Sequence, residues 1–200
     1  MTAIDLPETT RDSRREVTDE ALLRQIAAGN DVAMQELVRR YQGPLYRFLT
    51  RFLGSSDDAE QAVLNVFVRV WQNAGRFEFR SQVSTWLYRI AFNIARDMHA
   101  ARKARPQQES LPEEYALCDP LVGNAEDEAM RRIERAEQYR QLQEALGQLN
   151  EMDRLLLVLY YFEDSSYEEM QNISGLSYKV LKTRLSRARQ RLRALLGQES

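Results

Sequence analysis

The sequence has a single cysteine, Cys118, and a single histidine, His99. A disulfide needs two cysteines, and zinc sites and most nucleophilic sites need several cysteine, histidine or acidic residues brought together. The sequence also lacks a glycine-rich phosphate-binding loop. No catalytic constellation can be assembled from these residues. An enzyme is therefore the poorest interpretation, and we expect neither a metal site nor a cofactor.

Long apolar runs are missing as well. No segment approaches the roughly 18 apolar residues that a membrane-spanning helix requires. The first residues, MTAIDLPETTRDSRRE, are polar and lack the apolar run of a signal peptide. We therefore expect a cytoplasmic chain in a reducing environment, without membrane insertion.

Proline and glycine are scarce, and their positions divide the chain. Three of the five prolines fall between residues 104 and 124, among acids and glutamines, which is linker composition. On either side apolar residues recur with helical spacing, and no segment alternates as a β-strand does. The sequence predicts an all-α protein of two small helical domains joined by a flexible linker. The expected divisions are a disordered tail at 1–17, a first domain at 18–103, a linker at 104–127 and a second domain at 128–200.

Local signals in the first domain predict where helices begin and end. Gly43-Pro44 predicts a kink or break, since proline disrupts a helix interior. Gly54 closes that segment, and Asp57 followed by Glu60 resembles the capped start of the next helix. In that helix the spacing places Trp71 with the apolar, buried stripe.

The formal net charge of −2 argues against nucleic-acid binding, but it is an average over strongly segregated charges. Residues 113–169 contain fifteen acids against five arginines, whereas residues 177–195 contain seven lysines or arginines and no acid. Residues 86–105 carry a net charge of +4. Two basic patches predict two nucleic-acid contacts, and the acidic segment between them could shield them or meet a basic partner.

The most basic segment belongs to a helix-turn-helix pattern. A short helical segment precedes a turn at Gly175, a residue that can take the left-handed conformation. Either Ser165 with Glu168 or Ser166 with Glu169 offers that short helix a capping box. Residues 177–195 form an apolar stripe on one helix face, with cations on the others. This layout predicts a second helix that enters the DNA major groove. The alternative is a solvated basic helix packed on a core.

Three motifs carry a resemblance to a known family. Residues 58–71 read DAEQAVLNVFVRVW, residues 85–93 read TWLYRIAFN, and residues 166–171 and 179–189 read SYEEMQ and KVLKTRLSRAR. Their order and spacing resemble bacterial RNA polymerase sigma factors of the extracytoplasmic-function group, which retain the conserved regions 2 and 4. The resemblance covers about residues 18–196. It implies a sigma factor that binds core RNA polymerase and promoter DNA and directs promoter-specific initiation.

The resemblance also implies site residues. Region 4 would read the duplex minus-35 element, with base-edge candidates Lys182, Thr183 and Arg187 and phosphate candidates Lys179, Arg184 and Arg189. Region 2 would bind the melted minus-10 strand. Its candidate residues are Phe77, Arg80, Trp86, Tyr88, Arg89, Asn93 and Arg96, and Phe79 lies in the same loop. Trp86, with Leu87, Ile90 and Ile94, is expected in the core, and Asn93 and the loop at 77–84 are the favoured base contacts. The helix at residues 58–71 would bind the clamp coiled coil of the largest polymerase subunit. Its candidate contacts are Asp58, Glu60, Gln61, Leu64, Asn65 and Val68. The polymerase flap would be a further contact of the chain.

Departures from the family pattern keep alternatives open. Gln61 and Asn65 stand where the family usually has acids, and Leu64 stands at its usual glutamine, so we expect a weak grip on polymerase. One alternative is a degenerate, sigma-like interaction protein that titrates an anti-sigma factor or core polymerase. Another is an ordinary helix-turn-helix repressor or activator, which would leave residues 85–93 without a purpose. The family also implies an anti-sigma factor as the regulating partner.

Overall fold

The computed structural model describes residues 17–103 and 125–197 of the chain. These two ranges fold into eight α-helices and a short 3-10 turn, with no β-strand between them. The helices are α1 (Asp19–Ala27), α2 (Asp31–Leu53), α3 (Ser56–Asn73), α4 (Val83–Lys103), α5 (Ala125–Gln148), α6 (Glu151–Phe162), α7 (Tyr167–Ser174) and α8 (Tyr178–Gly197), and the 3-10 turn is Ala74–Arg76. The predicted all-α class with two helical domains is confirmed. The predicted tail up to residue 16 and the linker residues 104–124 lie outside the described residues.

The first domain consists of α1 to α4 and the 3-10 turn, and side-chain caps set its helix starts. Thr18, Asn30 and Ser55 each accept a hydrogen bond from a backbone N–H in the first turn of the helix that follows. Gly54 ends α2 with a φ of 71°, a left-handed conformation that glycine adopts without strain. These caps orient α3 across α2 and leave one long face of α3 in solvent.

The core of the first domain draws on all four of its helices, and aromatic rings of α2 and α4 meet within it. Phe48 and Phe52 of α2 are fully buried. The ring of Tyr88 packs edge-on against Phe48 at 5.1 Å between centroids, and Phe92 packs likewise on Phe52 at 5.6 Å. These contacts fix the rotation of α4 about its axis, which decides which of its side chains face solvent.

The second domain consists of α5 to α8 and is organised around α6. Residues 155–159 of α6 are buried one after another, so this helix is enclosed on all sides. It packs on α7 and α8 of its own domain and on α2 of the first domain. Ser166 and Glu169 form the capping box of α7, and Gly175 ends that helix with a φ of 73°. The helix-turn-helix predicted from the sequence is therefore present.

The two domains are in direct contact. Helix α7 packs on α4, and α6 packs on α2. Buried apolar residues of both domains form one continuous cluster, which includes Phe52 and Phe92 of the first domain and Leu155 and Leu159 of the second. The contact surface is therefore a true apolar core with its own hydrogen bonds.

Candidate nucleic-acid and polymerase interfaces

Helix α8 separates an apolar face from an exposed polar face. Leu181, Leu185 and Ala188 are buried against the second domain. On the exposed side lie all three base-edge candidates, Lys182, Thr183 and Arg187, together with Lys179. The Thr183 hydroxyl donates to the Lys179 carbonyl at 3.0 Å, so its oxygen remains available as an acceptor. This is the arrangement that a recognition helix needs to reach base edges in a major groove.

Two of the phosphate candidates on α8 have partners within their own domain. The Arg189 guanidinium lies 4.4 Å from the ring centroid of Tyr160, a cation–π contact. Arg184 lies 3.7 Å from a carboxylate oxygen of Asp153, a nearly buried acid that also pairs with Arg191 at 3.3 Å. Arg184 and Arg189 are only partly exposed. Lys179 is thus the phosphate candidate of this helix that is fully presented to solvent.

Helix α4 brings four of the minus-10 candidates onto one face. At about 100° per residue, Trp86, Arg89, Asn93 and Arg96 lie within about 80° of one another. Arg89 and Arg96 are exposed, and Trp86 and Asn93 are half-buried. Tyr88 lies about 200° from Trp86 around the helix, and its hydroxyl donates to Glu163 of the second domain at 2.6 Å. Tyr88 therefore faces the second domain and lies away from the four minus-10 candidates of the other helix face.

An aromatic cluster adjoins this face where α4 begins. The ring of Phe77 lies 4.9 Å from that of Phe79 and 4.9 Å from that of Trp86. Phe79 has a φ of 55°, an unusual conformation for a bulky residue, and the Arg24 guanidinium lies 4.4 Å from its ring centroid. Arg80 is exposed and paired with Glu78 at 2.9 Å. Aromatic faces beside cations provide a stacking surface for unpaired bases. Arg24 was missed by sequence reasoning because it comes from α1, far away in the chain.

The outer face of α3 is more apolar than acidic. Leu64 and Val68 are 68% and 54% exposed, and Trp71, one turn further on, is 41% exposed. The neutral Gln61 and Asn65 lie beside them in solvent. Of the two acidic candidates at the start of α3, Glu60 is exposed, whereas Asp58 is half-buried and paired with Arg102 of α4 at 2.8 Å. The expectation that Trp71 belongs to the buried stripe of α3 is wrong, because that stripe ends with Val70.

Comparison with known proteins identifies the family to which a chain with these surfaces belongs. The family model for sigma-70 region 2 matches residues 37–105, and that for sigma-70 region 4 matches residues 139–192. The RNA polymerase sigma factor NccH of Alcaligenes xylosoxydans xylosoxydans is 30% identical over 179 residues, which cover 89% of this chain and 94% of NccH. This chain belongs to the sigma-70 family of RNA polymerase sigma factors. The first domain is its region 2 domain, and the second is its region 4 domain.

Further similarities place the sigma factor in the extracytoplasmic-function group. The ECF RNA polymerase sigma factor SigE of Mycolicibacterium smegmatis is 33% identical over 178 residues, which cover 87% of this chain but only 66% of SigE. The ECF sigma factor SigW of Bacillus subtilis is 29% identical over 182 residues, with coverage of 87% and 94%. The solved structure of CnrH in complex with the cytosolic domain of CnrY matches with a TM-score of 0.66 at 27% identity, covering 91% of this chain and 99% of CnrH. The sigma factor is thus a promoter-specificity subunit of RNA polymerase.

The described residues of the sigma factor also bear on membrane and metal binding. None of the helices within 17–103 and 125–197 has the length and apolar character needed to cross a bilayer. Across the same ranges, no three histidine, cysteine or acidic side chains are grouped as a metal site would require.

Proposed function

We propose that this sigma factor reads promoters through two surfaces, the exposed face of α8 on duplex minus-35 DNA and the α4 face with its aromatic loop on the melted minus-10 strand. The observation that carries the proposal is the segregation on α8, where an apolar face is buried and Lys179, Lys182 and Arg187 stand in solvent. The chain acts in the cytoplasm, where promoter DNA and polymerase meet, and has no catalytic activity of its own.

The test is multi-round transcription with purified core polymerase on a library of promoter fragments. Specific transcripts that require the chain support the proposal. Core binding without transcripts would instead favour the alternative of a sigma-like protein that titrates polymerase or an anti-sigma factor. Duplex binding that needs no core would favour an ordinary helix-turn-helix regulator.

In the region 2 domain, each part of the proposed strand-binding face has a separate task. Phe77, Phe79 and Trp86 offer ring faces on which unstacked bases can lie. Arg89 and Arg96 lie along one edge of the helix face as exposed cations and suit the phosphates of the same strand. The half-buried Asn93 lies between them and can offer both a donor and an acceptor to a base edge. Tyr88 has no part in this surface while its hydroxyl is bonded to Glu163.

We expect Asn93→Ala to reduce open-complex formation about ten- to a hundredfold, because a well-placed amide contact to a base is worth ~1–3 kcal/mol. Core binding should not change, and a pre-melted bubble should not fully restore activity, since the base contact itself is lost. Permanganate footprinting of duplex and bubble templates measures both effects. The control is Gln138→Ala, which removes an exposed amide from α5. Normal melting by the Asn93 variant would make Asn93 a structural amide.

We expect the neutral outer face of α3 to bind the polymerase clamp weakly, and Gln61→Asp combined with Asn65→Glu to strengthen that binding. Exposed ion pairs contribute about 0.2–1 kcal/mol each, so two added acids should tighten the complex roughly two- to thirtyfold at low salt. The gain should shrink at high salt, because screening weakens exposed charge pairs. The measurement is affinity for core polymerase at both salt concentrations.

The matched control for the α3 variant adds two acids elsewhere. Gln138→Asp with Gln148→Glu places them on exposed positions of α5, and this variant should bind core as the wild type does. If the α3 variant binds no more tightly than this control, the strip does not meet a basic partner. Its grip would then come from Leu64, Val68 and Trp71 through apolar contact.

We also propose that an anti-sigma factor controls the chain, as membership of this group implies. The solved complex of CnrH with the cytosolic domain of CnrY supports this, since CnrH resembles the chain over nearly its whole length. A protein that binds the chain and abolishes both core binding and transcription in the assay above would be such a factor.

A further inference from the structure

The loop before α4 holds one side chain in a backbone conformation that its residue type disfavours. Phe79 has a φ of 55°, in the left-handed region, and its side chain is 38% exposed. Any residue with a Cβ is strained there, and a bulky one is a genuine outlier. Backbone strain of this kind persists only where surrounding contacts hold it, and it concentrates at functional sites.

Elsewhere the chain uses suitable residue types for the same conformation. Gly29, Gly54 and Gly175 have φ values between 71° and 83°. Among the described residues, the other non-glycine position with a positive φ is Asp164, and aspartate tolerates this region. A glycine at position 79 would form the same loop without strain. The turn therefore does not explain Phe79, and its exposed ring does.

Two neighbouring side chains hold the Phe79 ring in place. The ring of Phe77 lies 4.9 Å from it between centroids and also contacts Trp86 of α4 at 4.9 Å. Phe77 and Trp86 pack against the buried core of the domain, so they form a fixed support. From the last turn of α1, Arg24 places its guanidinium 4.4 Å from the centroid of the Phe79 ring. This cation–π contact joins the loop to a helix that is distant in the sequence.

Backbone hydrogen bonds anchor the two ends of the loop. At its start the Phe77 N–H donates to the Ala74 carbonyl at 3.2 Å, and at its end the Gln82 carbonyl accepts an N–H of α4 at 3.2 Å. Neither bond includes residues 78–81, so side-chain contacts decide the conformation of the middle of the loop. The cation from α1 acts at that middle part.

The placement of the ring bears on strand binding. Unpaired bases stack on aromatic faces, and a face must be held where the base arrives. A ring on a relaxed loop presents its face for part of the time, and the apparent affinity falls by that fraction. Phe79 is exposed, whereas Phe77 and Trp86 are half-buried. Of the three rings, Phe79 therefore depends most on a contact from outside the loop.

We propose that Arg24 is a positioning residue for the melted minus-10 strand, whose guanidinium holds Phe79 in the strained conformation in which its ring can stack on an unpaired base. The inference rests on the proposed function, since only a strand-binding surface needs this ring to be presented. Arg24 acts through Phe79 and not through a phosphate of its own. Helix α1 thereby takes part in strand binding, although the sequence motifs begin only at residue 58.

The test is a double-mutant cycle between Arg24 and Phe79 in the full chain bound to core polymerase. The probe is a labelled single-stranded oligonucleotide with the non-template minus-10 sequence of a promoter that the transcription assay selects. Arg24→Met keeps a long side chain without the charge and should weaken binding about two- to fivefold, the effect of an exposed cation–π contact. Phe79→Ala should weaken binding at least about fivefold, as the loss of one stacked base does. Added to Phe79→Ala, Arg24→Met should change the affinity by less than about 1.5-fold, because the ring that it positions is gone.

Three comparisons separate positioning from direct contact with DNA. Arg24→Lys keeps a cation for the ring and should lose less affinity than Arg24→Met. The slope of log affinity against log salt should be the same for the wild type and Arg24→Met, since a residue that binds no phosphate releases no counterion. Arg135→Met removes an exposed arginine from α5 and should bind as the wild type does. Circular dichroism checks folding; if Arg24→Met is not folded, Arg24→Lys takes its place in the cycle.

Three results would overturn this role of Arg24. Wild-type binding by Arg24→Met would show that Phe79 is held without it. An equal loss with and without the Phe79 ring, together with a shallower salt slope, would make Arg24 a phosphate contact. Wild-type binding by Phe79→Ala would mean that the ring meets no base. Each leaves promoter reading itself untouched, which fails only if the wild-type chain gives no specific transcripts with core polymerase.

Discussion

Arg154→Ala is expected to lower the free energy of unfolding by about 3–5 kcal/mol. Its guanidinium is buried and serves four backbone carbonyls, those of Leu146, Gly147, Leu149 and Phe52. Each buried acceptor that loses its donor costs about 1–3 kcal/mol, reduced where water enters the space that is left. The positive charge also lies at two helix carboxyl ends, where a cation is favoured. Urea unfolding followed by circular dichroism measures the loss.

Two further variants give this prediction its controls. Arg135→Ala removes an exposed arginine from α5, and it should stay within about 0.5 kcal/mol of the wild type. Arg154→Lys keeps the charge but cannot present a planar fork to several carbonyls, so it should recover only part of the loss. A loss below about 1 kcal/mol for Arg154→Ala would mean that water replaces the guanidinium without difficulty.

The second large effect is expected at the recognition helix. Arg187→Ala should reduce discrimination between the preferred minus-35 sequence and altered ones about ten- to a hundredfold at one or two base pairs. The reason is that an arginine bound to a guanine edge is worth ~1–3 kcal/mol of discrimination. Binding of duplexes taken from promoters that the transcription assay selects, each with one base pair changed, measures this effect.

Lys179→Ala is the matched comparison for Arg187→Ala. Lys179 is equally exposed on α8, and as a phosphate contact it carries no sequence information. Its loss should weaken all duplexes alike and reduce the slope of log affinity against log salt by about 1. Equal losses on selected and scrambled duplexes for Arg187→Ala would show that Arg187 binds phosphate as well.

Local signals in the sequence predicted much of the fold, because caps and turns depend on neighbouring residues. Gly175 ends α7 in the left-handed conformation expected of it, and of the two possible capping boxes the structure uses Ser166 with Glu169. The start of α3 was placed two residues late, since Ser55 and not Asp57 is the cap. Both residue types suit an N-cap, so the sequence alone could not choose between them.

Of the kink or break expected at Gly43-Pro44, the break is wrong, for a different reason. Helix α2 runs without interruption from Asp31 to Leu53, with Pro44 inside it. Leu37 on one side of the proline and Phe48 and Phe52 on the other are all fully buried. Their burial offsets the roughly 3 kcal/mol that an interior proline costs, a compensation that depends on tertiary packing and leaves no local trace in the sequence.

The site residues also differ in whether local sequence signals or tertiary packing decide their positions. The exposed face of α8 follows from helical periodicity, so Lys182 and Arg187 could be placed from the sequence. Tyr88 could not, because its partner Glu163 is distant in the chain and belongs to the other domain. The surroundings of Arg189 could not be placed either, since its stacking on Tyr160 depends on how α8 lies against α6.

The apolar outer face of α3 bears on how sigma factors share a limited pool of polymerase. Ion pairs between exposed groups, such as an acidic strip would form, weaken as dissolved ions accumulate. Any contact that Leu64, Val68 and Trp71 make with polymerase would depend on burial of these exposed side chains, which salt does not screen. If apolar contact dominates, this sigma factor should keep its share of polymerase as the ionic strength of the cell interior rises, while a competitor bound through ion pairs loses its share. Osmotic stress would thus shift transcription toward its promoters without any change in its abundance, and the salt series on core affinity measures the underlying difference.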